Sequence, residues 1–222
     1  MSTGAGPKAY TVMNAGSLKM EPSDESLMTA HVGGDTSAFT ELVQRHAGAV
    51  LGYLRKMNGD YQAAEDLCQE TFMRIFQRAG EFRAGSAFRS WLYAIATNLA
   101  IDAMRKKARM TKALYPGTNL MSRNFKVVAG GVDPGPASKV GNISAETPDA
   151  SAIAMKNELK QQVRNAVESL PEQQKAAVVL SYFQGLSYSE TADTLGCSLS
   201  TVKTHMSRAL RTLARLLPDV KE

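Results

Sequence analysis

Residues 111–150, TKALYPGTNLMSRNFKVVAGGVDPGPASKVGNISAETPDA, carry clustered Gly, Pro, Ser and Asn without helical or strand periodicity. Some forty residues without regular structure do not fit inside one compact domain, whose connections are usually short. The chain is therefore expected to fold as two units, 24–109 and 152–218, joined by a long flexible linker at 110–151. Residues 1–23, rich in Gly, Ser, Ala and Thr, are expected to form a mobile tail. Apolar residues on both sides of the linker recur at helical spacing. The fold class that follows is all-α: two small helical domains, the C-terminal one containing a helix-turn-helix.

In the first unit a long helix follows GGDTSAF, with Phe39, Leu42, Val43, Val50 and Leu54 on one face and a stop at NGD. A second starts behind Asp60 as N-cap and aligns Ala64, Leu67, Thr71, Phe72, Ile75 and Phe76, so both Phe72 and Phe76 are expected in the core. A third runs from about Ala87 past Arg105. Trp91 shares an arc with Phe88, Leu92, Ile95 and Leu99 and is expected to be core. Asp102 falls in the same arc, which calls for an ion pair or a backbone hydrogen bond.

The segment GCSLSTVKTHMSRALRTLARLL, residues 196–217, holds Lys203, Arg208, Arg211 and Arg215 and no acidic side chain. At about 100° per residue, Leu199, Val202, Met206, Ala209, Leu210, Leu213, Leu216 and Leu217 fall in one arc. Ser200, Thr204, Ser207, Arg208, Arg211 and Arg215 fall opposite. Ser198 stands at the N-cap position, Gly196 suits a left-handed turn, and Ser187 with Glu190 has capping-box spacing for the helix before. Two short helices around a tight turn, the second basic and hydroxyl-rich, describe a helix-turn-helix. An amphipathic hairpin with a solvated basic face is the alternative, but solvated faces usually mix signs. In a recognition helix, Ser200, Thr201, Lys203, Thr204 and Ser207 would reach base edges in the major groove. Arg208, Arg211 and Arg215 would contact phosphate.

Several functions are disfavoured. The formal charge of +5 permits a polyanionic partner. No apolar run is long enough to span a bilayer, and residues 1–20 lack the apolar core of a signal peptide, so a cytoplasmic protein is expected. Cys68 and Cys197 are far apart, and His31, His46 and His205 have no ligand spacing with them or each other; neither a metal nor a cofactor is expected. There is no GxxxxGK[ST] loop, no carboxylate cluster for two metal ions and no spaced nucleophile–base pair, which argues against an enzyme.

The motifs DTSAFTELVQRH, AAEDLCQETFMRIFQ, FRSWLYAIATNLAIDAMRKKAR and LPEQQKAAVVLSYFQGLSYSETADTLGCSLSTVKTHMSRAL, in this order, resemble those of bacterial extracytoplasmic-function sigma factors of the sigma-70 family. The resemblance covers most of the chain outside tail and linker. It implies a promoter-recognition subunit of RNA polymerase that meets core polymerase, double-stranded promoter DNA, the melted non-template strand and an anti-sigma factor. It places polymerase binding on Asp66, Gln69, Glu70 and Met73, with Phe72 and Phe76 at its edge; the spacing of Asp66, Glu70 and Met73 sets them on adjoining surface. A solvated face braced by pairs such as Glu70–Arg74 accounts for the two acids equally well. It places −10 recognition on Arg89, Tyr93, Thr97, Asn98, Arg105 and Lys106, with Arg89, Tyr93 and Thr97 on one exposed face, and a base-accepting loop at GEFRAGSAF. The −35 element falls to Ser200, Thr201, Lys203, Thr204, Ser207, Arg208, Arg211 and Arg215. His205 and Leu210 depart from the family, many of whose members have arginine there. TVKTH is also similar to response-regulator helix-turn-helix segments. A freestanding regulator of that kind is the competing function, although it leaves the first unit unexplained.

Overall fold

The computed structural model describes residues 21–83, 85–114 and 150–217. Among them the regular structure is helical, with no strand. The helices are α1 (Asp24–Val32), α2 (Thr36–Asn58), α3 (Tyr61–Gln77), α4 (Phe88–Leu114), α5 (Ala150–Glu168), α6 (Glu172–Val178), α7 (Tyr188–Leu195) and α8 (Leu199–Leu216). The tail at 1–23 and the linker at 110–151 fall outside the described residues except at their ends. There, α4 runs on past Arg109 to Leu114 and α5 begins at Ala150.

Local chemistry sets the corners. Asp35 caps α2 by accepting from the N–H of Ser37 and Ala38. Gly59 closes the same helix at φ 74°, a left-handed conformation that costs a residue without Cβ nothing. Asp60 then caps α3 through the N–H of Ala63, so one Gly-Asp pair turns the chain from α2 into α3. Before α4, a short 3-10 turn over Ala79–Glu81 carries the chain across the end of α3.

α4 is the central helix of the first unit. It packs against α1, α2 and α3, and α6 and α7 also lie against it. A helix enclosed in this way buries most of its circumference, which overrides a simple two-faced pattern. Tyr93 and Thr97, expected on an exposed face, are accordingly buried, both at 1% exposure. The Thr97 hydroxyl lies 2.6 Å from the Tyr53 hydroxyl inside the core. Asp102 corrects the expectation in the opposite sense: it is exposed, so its carboxylate needs no buried partner. Trp91 is half-buried, with its ring 5.5 Å from Phe82 and 6.5 Å from Phe88.

In the second unit, the Ser187–Glu190 capping box forms, Gly196 turns at φ 61°, and Ser198 caps α8 by accepting from Thr201 N–H. Val202, Met206 and Ala209 are buried as expected. Leu199, Leu210 and Leu216 are not, at 44%, 55% and 47% exposure, because the helices before α8 cover a narrower stripe than its apolar arc. α6 continues into a widened turn over Val179–Phe183, where the Gln184 N–H donates to the Val179 carbonyl at 3.1 Å.

The two units share apolar surface. Ala177 and Val178 join the cluster around Val202, Met206 and Ala209. Ala176, Val179, Leu180 and Leu186 instead join the cluster of the first unit, with Leu92, Tyr93 and Ala96.

Candidate functional site

On the outer side of α3, Asp66, Gln69, Glu70 and Met73 are all exposed and lie within about two turns of one another. Glu70 accepts from the Arg74 guanidinium at 2.7 Å. That pair is half-exposed, worth about 0.3–0.5 kcal/mol, and yields readily to a competing partner. Gln69 and Met73 also border a groove of about 750 Å³ between α2 and α3, lined with Phe39, Val43, Phe72 and Phe76. Phe76 is 52% exposed rather than core. Its ring stands 5.3 Å from Phe39 and 5.1 Å from His31, forming an aromatic wall at the end of the groove.

The resemblance placed Phe76 at the edge of the polymerase-binding patch, but the sequence did not single out Phe39 and His31 as its partners in this wall. Its signal is a second stripe on α2, Phe39, Val43 and Ala47, offset from the fully buried line of Leu42, Val50 and Leu54. Cys68 sits at the groove floor, where burial, and to a lesser extent nearby Glu65, push its thiol above the ordinary range, disfavouring the thiolate.

The second surface is the start of α4. Arg89 is exposed and donates through Nη2 to the Gln184 carbonyl at 2.5 Å. Tyr93 stacks its ring edge-on against Tyr53 at 5.3 Å and donates its hydroxyl to Gln184 Oε1 at 2.7 Å. Burial pushes the Tyr93 phenol up, and the neighbouring Arg89 opposes that shift, so it remains a neutral donor. Asn98 and Lys106 are exposed, and Arg105 is exposed but paired with Glu172 at 2.9 Å. Thr97 is buried like Tyr93, but its hydroxyl is bonded to Tyr53 inside the core rather than reaching this surface. Phe82, held against Phe88 and Trp91, anchors the stretch that leads into α4.

The third surface is α8. Ser200, Lys203, Thr204, Ser207, Arg208, Arg211 and Arg215 are exposed on it, and no acidic side chain interrupts them. Thr201 is half-buried, its hydroxyl 2.8 Å from that of Ser198, so it serves the helix start as well as the surface. The Thr204 hydroxyl donates back to the Ser200 carbonyl, leaving its lone pairs and methyl group outward. Among the described residues no group of His, Cys, Asp and Glu is arranged to hold a metal ion, and no helix is long and apolar enough to cross a membrane.

Comparison with known proteins matches two separate stretches of the chain. A family model for Sigma-70 region 2 matches residues 42–110, and one for Sigma-70 region 4 matches residues 160–213. The chain is 33% identical over 199 residues to the ECF RNA polymerase sigma factor SigE of Mycolicibacterium smegmatis, covering 87% of this chain and 69% of that protein. It is 33% identical over 198 residues to SigM of Mycobacterium tuberculosis, covering 89% and 86%. Among solved structures, CnrH in complex with the cytosolic domain of CnrY shares the fold at a TM-score of 0.61 and 23% identity, over 89% of this chain and 99% of that one.

Proposed function

The chain belongs to the extracytoplasmic-function sigma factors of the sigma-70 family, and from that premise we propose how its three surfaces divide the work of directing RNA polymerase to promoters. The exposed acids Asp66 and Glu70, with Gln69 and Met73, hold core polymerase in the cytoplasm. An acidic patch with an apolar border suits a basic, amphipathic helix of the partner. α8 enters the major groove of the −35 element, where Ser200, Thr201, Lys203, Thr204 and Ser207 meet base edges and Arg208, Arg211 and Arg215 hold phosphates.

At the −10 element, Arg89, Asn98, Arg105 and Lys106, with the hydroxyl edge of Tyr93, take the unpaired non-template strand. Thr97 drops out of this set because its hydroxyl is spent on Tyr53. Sigma factors as a class are not enzymes; strand capture stabilises the open promoter by mass action, with no chemical step on this chain. An anti-sigma factor is the expected antagonist, since the solved relative RpoE of Bartonella quintana was captured in complex with the anti-sigma factor NepR.

The carrying observation is the acid-free exposed face of α8, set on a helix capped at Ser198 and fixed by Val202, Met206 and Ala209. To test it, purified chain is mixed with core polymerase and a promoter library, and the transcripts are sequenced. Start sites should follow a shared two-part element of nearly fixed spacing. Failure to associate with core polymerase would instead favour a freestanding regulator.

A further inference from the structure

α1 lies ahead of residues 42–110, the stretch matched by the Sigma-70 region 2 model, and its first turn, with Asp24 and Glu25, belongs to none of the three surfaces. That turn is nonetheless tied to the helix that carries the −10 surface. The half-buried Glu25 carboxylate accepts through Oε1 from the backbone N–H of Phe88, the first residue of α4, at 3.1 Å. The first N–H groups of a helix have no partner within it, and a residue with a side-chain oxygen usually stands just ahead to take one. Ala87 stands there in α4 and has none. Glu25 therefore caps α4 from another helix, and its carboxylate complements the positive end of the α4 dipole.

The cap is held from behind. Asp24, one residue earlier, meets His46 Nε2 at 2.7 Å and accepts from Arg45 Nη1 at 3.2 Å on α2, and Arg45 also donates to the Pro22 carbonyl at 2.7 Å. Leu27 and Met28 are buried in the same short helix. Successive residues of α1, about 100° apart, thus serve α2 and α4 in turn. The His46 ring lies 5.4 Å from the Phe88 ring, which Phe82 and Trp91 also flank. A buried ring fixes where the first turn of α4 sits. The hydrogen bond to its backbone fixes how that turn is wound, and Arg89 is the next residue.

We propose that Glu25 is a positioning residue for −10 recognition: by capping Phe88 from α1 it keeps the first turn of α4 helical and so aims Arg89 at the unpaired strand. This rests on the −10 assignment given under Proposed function. Glu25 itself touches no DNA. Without the cap the turn frays, and Arg89 meets the strand only in the fraction of molecules whose first turn is still wound.

The test uses holoenzyme assembled from the full chain and core polymerase. Transcripts from the promoter library are read for base preference at the −10 and −35 elements, and amide exchange at Phe88 is followed in the free chain. Glu25→Ala should lower transcription about tenfold, the weight of one hydrogen bond to a charged group. It should also flatten the −10 preference, quicken exchange at Phe88 and leave the −35 preference as in wild type. Glu25→Gln keeps an accepting oxygen at the same reach and should recover most of the −10 preference. Glu25→Asp keeps the charge but draws the oxygen back by one methylene, and should fall near Glu25→Ala; this pair answers the question even where Glu25→Ala does not fold. Ser23→Ala removes the hydroxyl that accepts from Ser26 N–H at 3.2 Å, which loosens α1 but leaves the Glu25 carboxylate in place. It should lower the melting temperature and keep the wild-type −10 preference.

A wild-type −10 preference in Glu25→Ala, or equal flattening by Ser23→Ala, overturns the positioning. So do Gln and Asp variants that behave alike, or exchange at Phe88 that Glu25→Ala leaves unchanged. The −10 assignment is judged separately, by Arg89→Ala holoenzyme. Flattening there with the Glu25 variants unchanged leaves the assignment standing and overturns the positioning. An unchanged preference there with flattening in Glu25→Ala strikes Arg89 from the assignment and upholds Glu25 as the residue that sets the start of α4.

Discussion

Tyr53 and Thr97 show how a single buried pair can take a residue out of a surface. Their hydroxyls are 2.6 Å apart in the core, and burial pushes the Tyr53 phenol far above its ordinary value. Thr97→Val should therefore cost about 1–3 kcal/mol, because it strands a buried hydroxyl. Adding Tyr53→Phe should recover much of that loss; denaturant melts of the two single variants and the double would measure the coupling. On α8 the division between base and phosphate contacts predicts different signatures. Lys203→Ala should change sequence preference. Arg215→Ala should weaken binding to all sequences alike and reduce the salt slope by about 1; binding across a promoter library at several salt concentrations distinguishes them. These surface residues were legible in the sequence because a helix with no acid opposite an apolar arc admits few arrangements. Tyr93 and Thr97 were not, since their burial depends on Tyr53, which lies far away in the chain and adjacent only in the fold.

At the scale of elements, the caps were the most legible feature, because each is a local bargain between one side chain and the first backbone N–H groups. The Ser187 hydroxyl accepts from Glu190 N–H at 3.2 Å, and Glu190 accepts from Ser187 N–H at 2.8 Å. Ser187→Ala should lower the melting stability of the helix-turn-helix by about 1 kcal/mol. The Ser187 hydroxyl and backbone N–H hold the Glu190 carboxyl below its usual value of 4.5. Its support is therefore complete above that value and is lost as the pH falls through the lowered folded one. Acid titration of Glu190→Gln should show a flatter loss of helix than wild type. The helix breadths were less legible. Arcs drawn on α3 and α8 placed Phe76, Leu199, Leu210 and Leu216 inside, yet how much of an arc is covered is set by the neighbour across from it. α4 erred in the other direction, because a helix packed by α1, α2, α3 and α7 has little outer side left.

For the whole molecule, the sequence announced two helical units through the break at residues 111–150, and two family models match the chain on either side of it, over 42–110 and 160–213. It could not announce that the units meet, since the joint is made of ordinary apolar residues with no periodic signature of their own. The decisive feature is α6 with the widened turn that continues it: Ala177 and Val178 serve the helix-turn-helix, while Ala176, Val179 and Leu180 serve the first unit. A fragment starting at residue 150 would keep its own core and bare the other flank, with Leu186, to water. It should self-associate in sedimentation runs at concentrations where the full chain stays monomeric. Any event that pries the halves apart thus uncovers a sticky patch, and a chain awaiting polymerase is safer from clumping while folded shut.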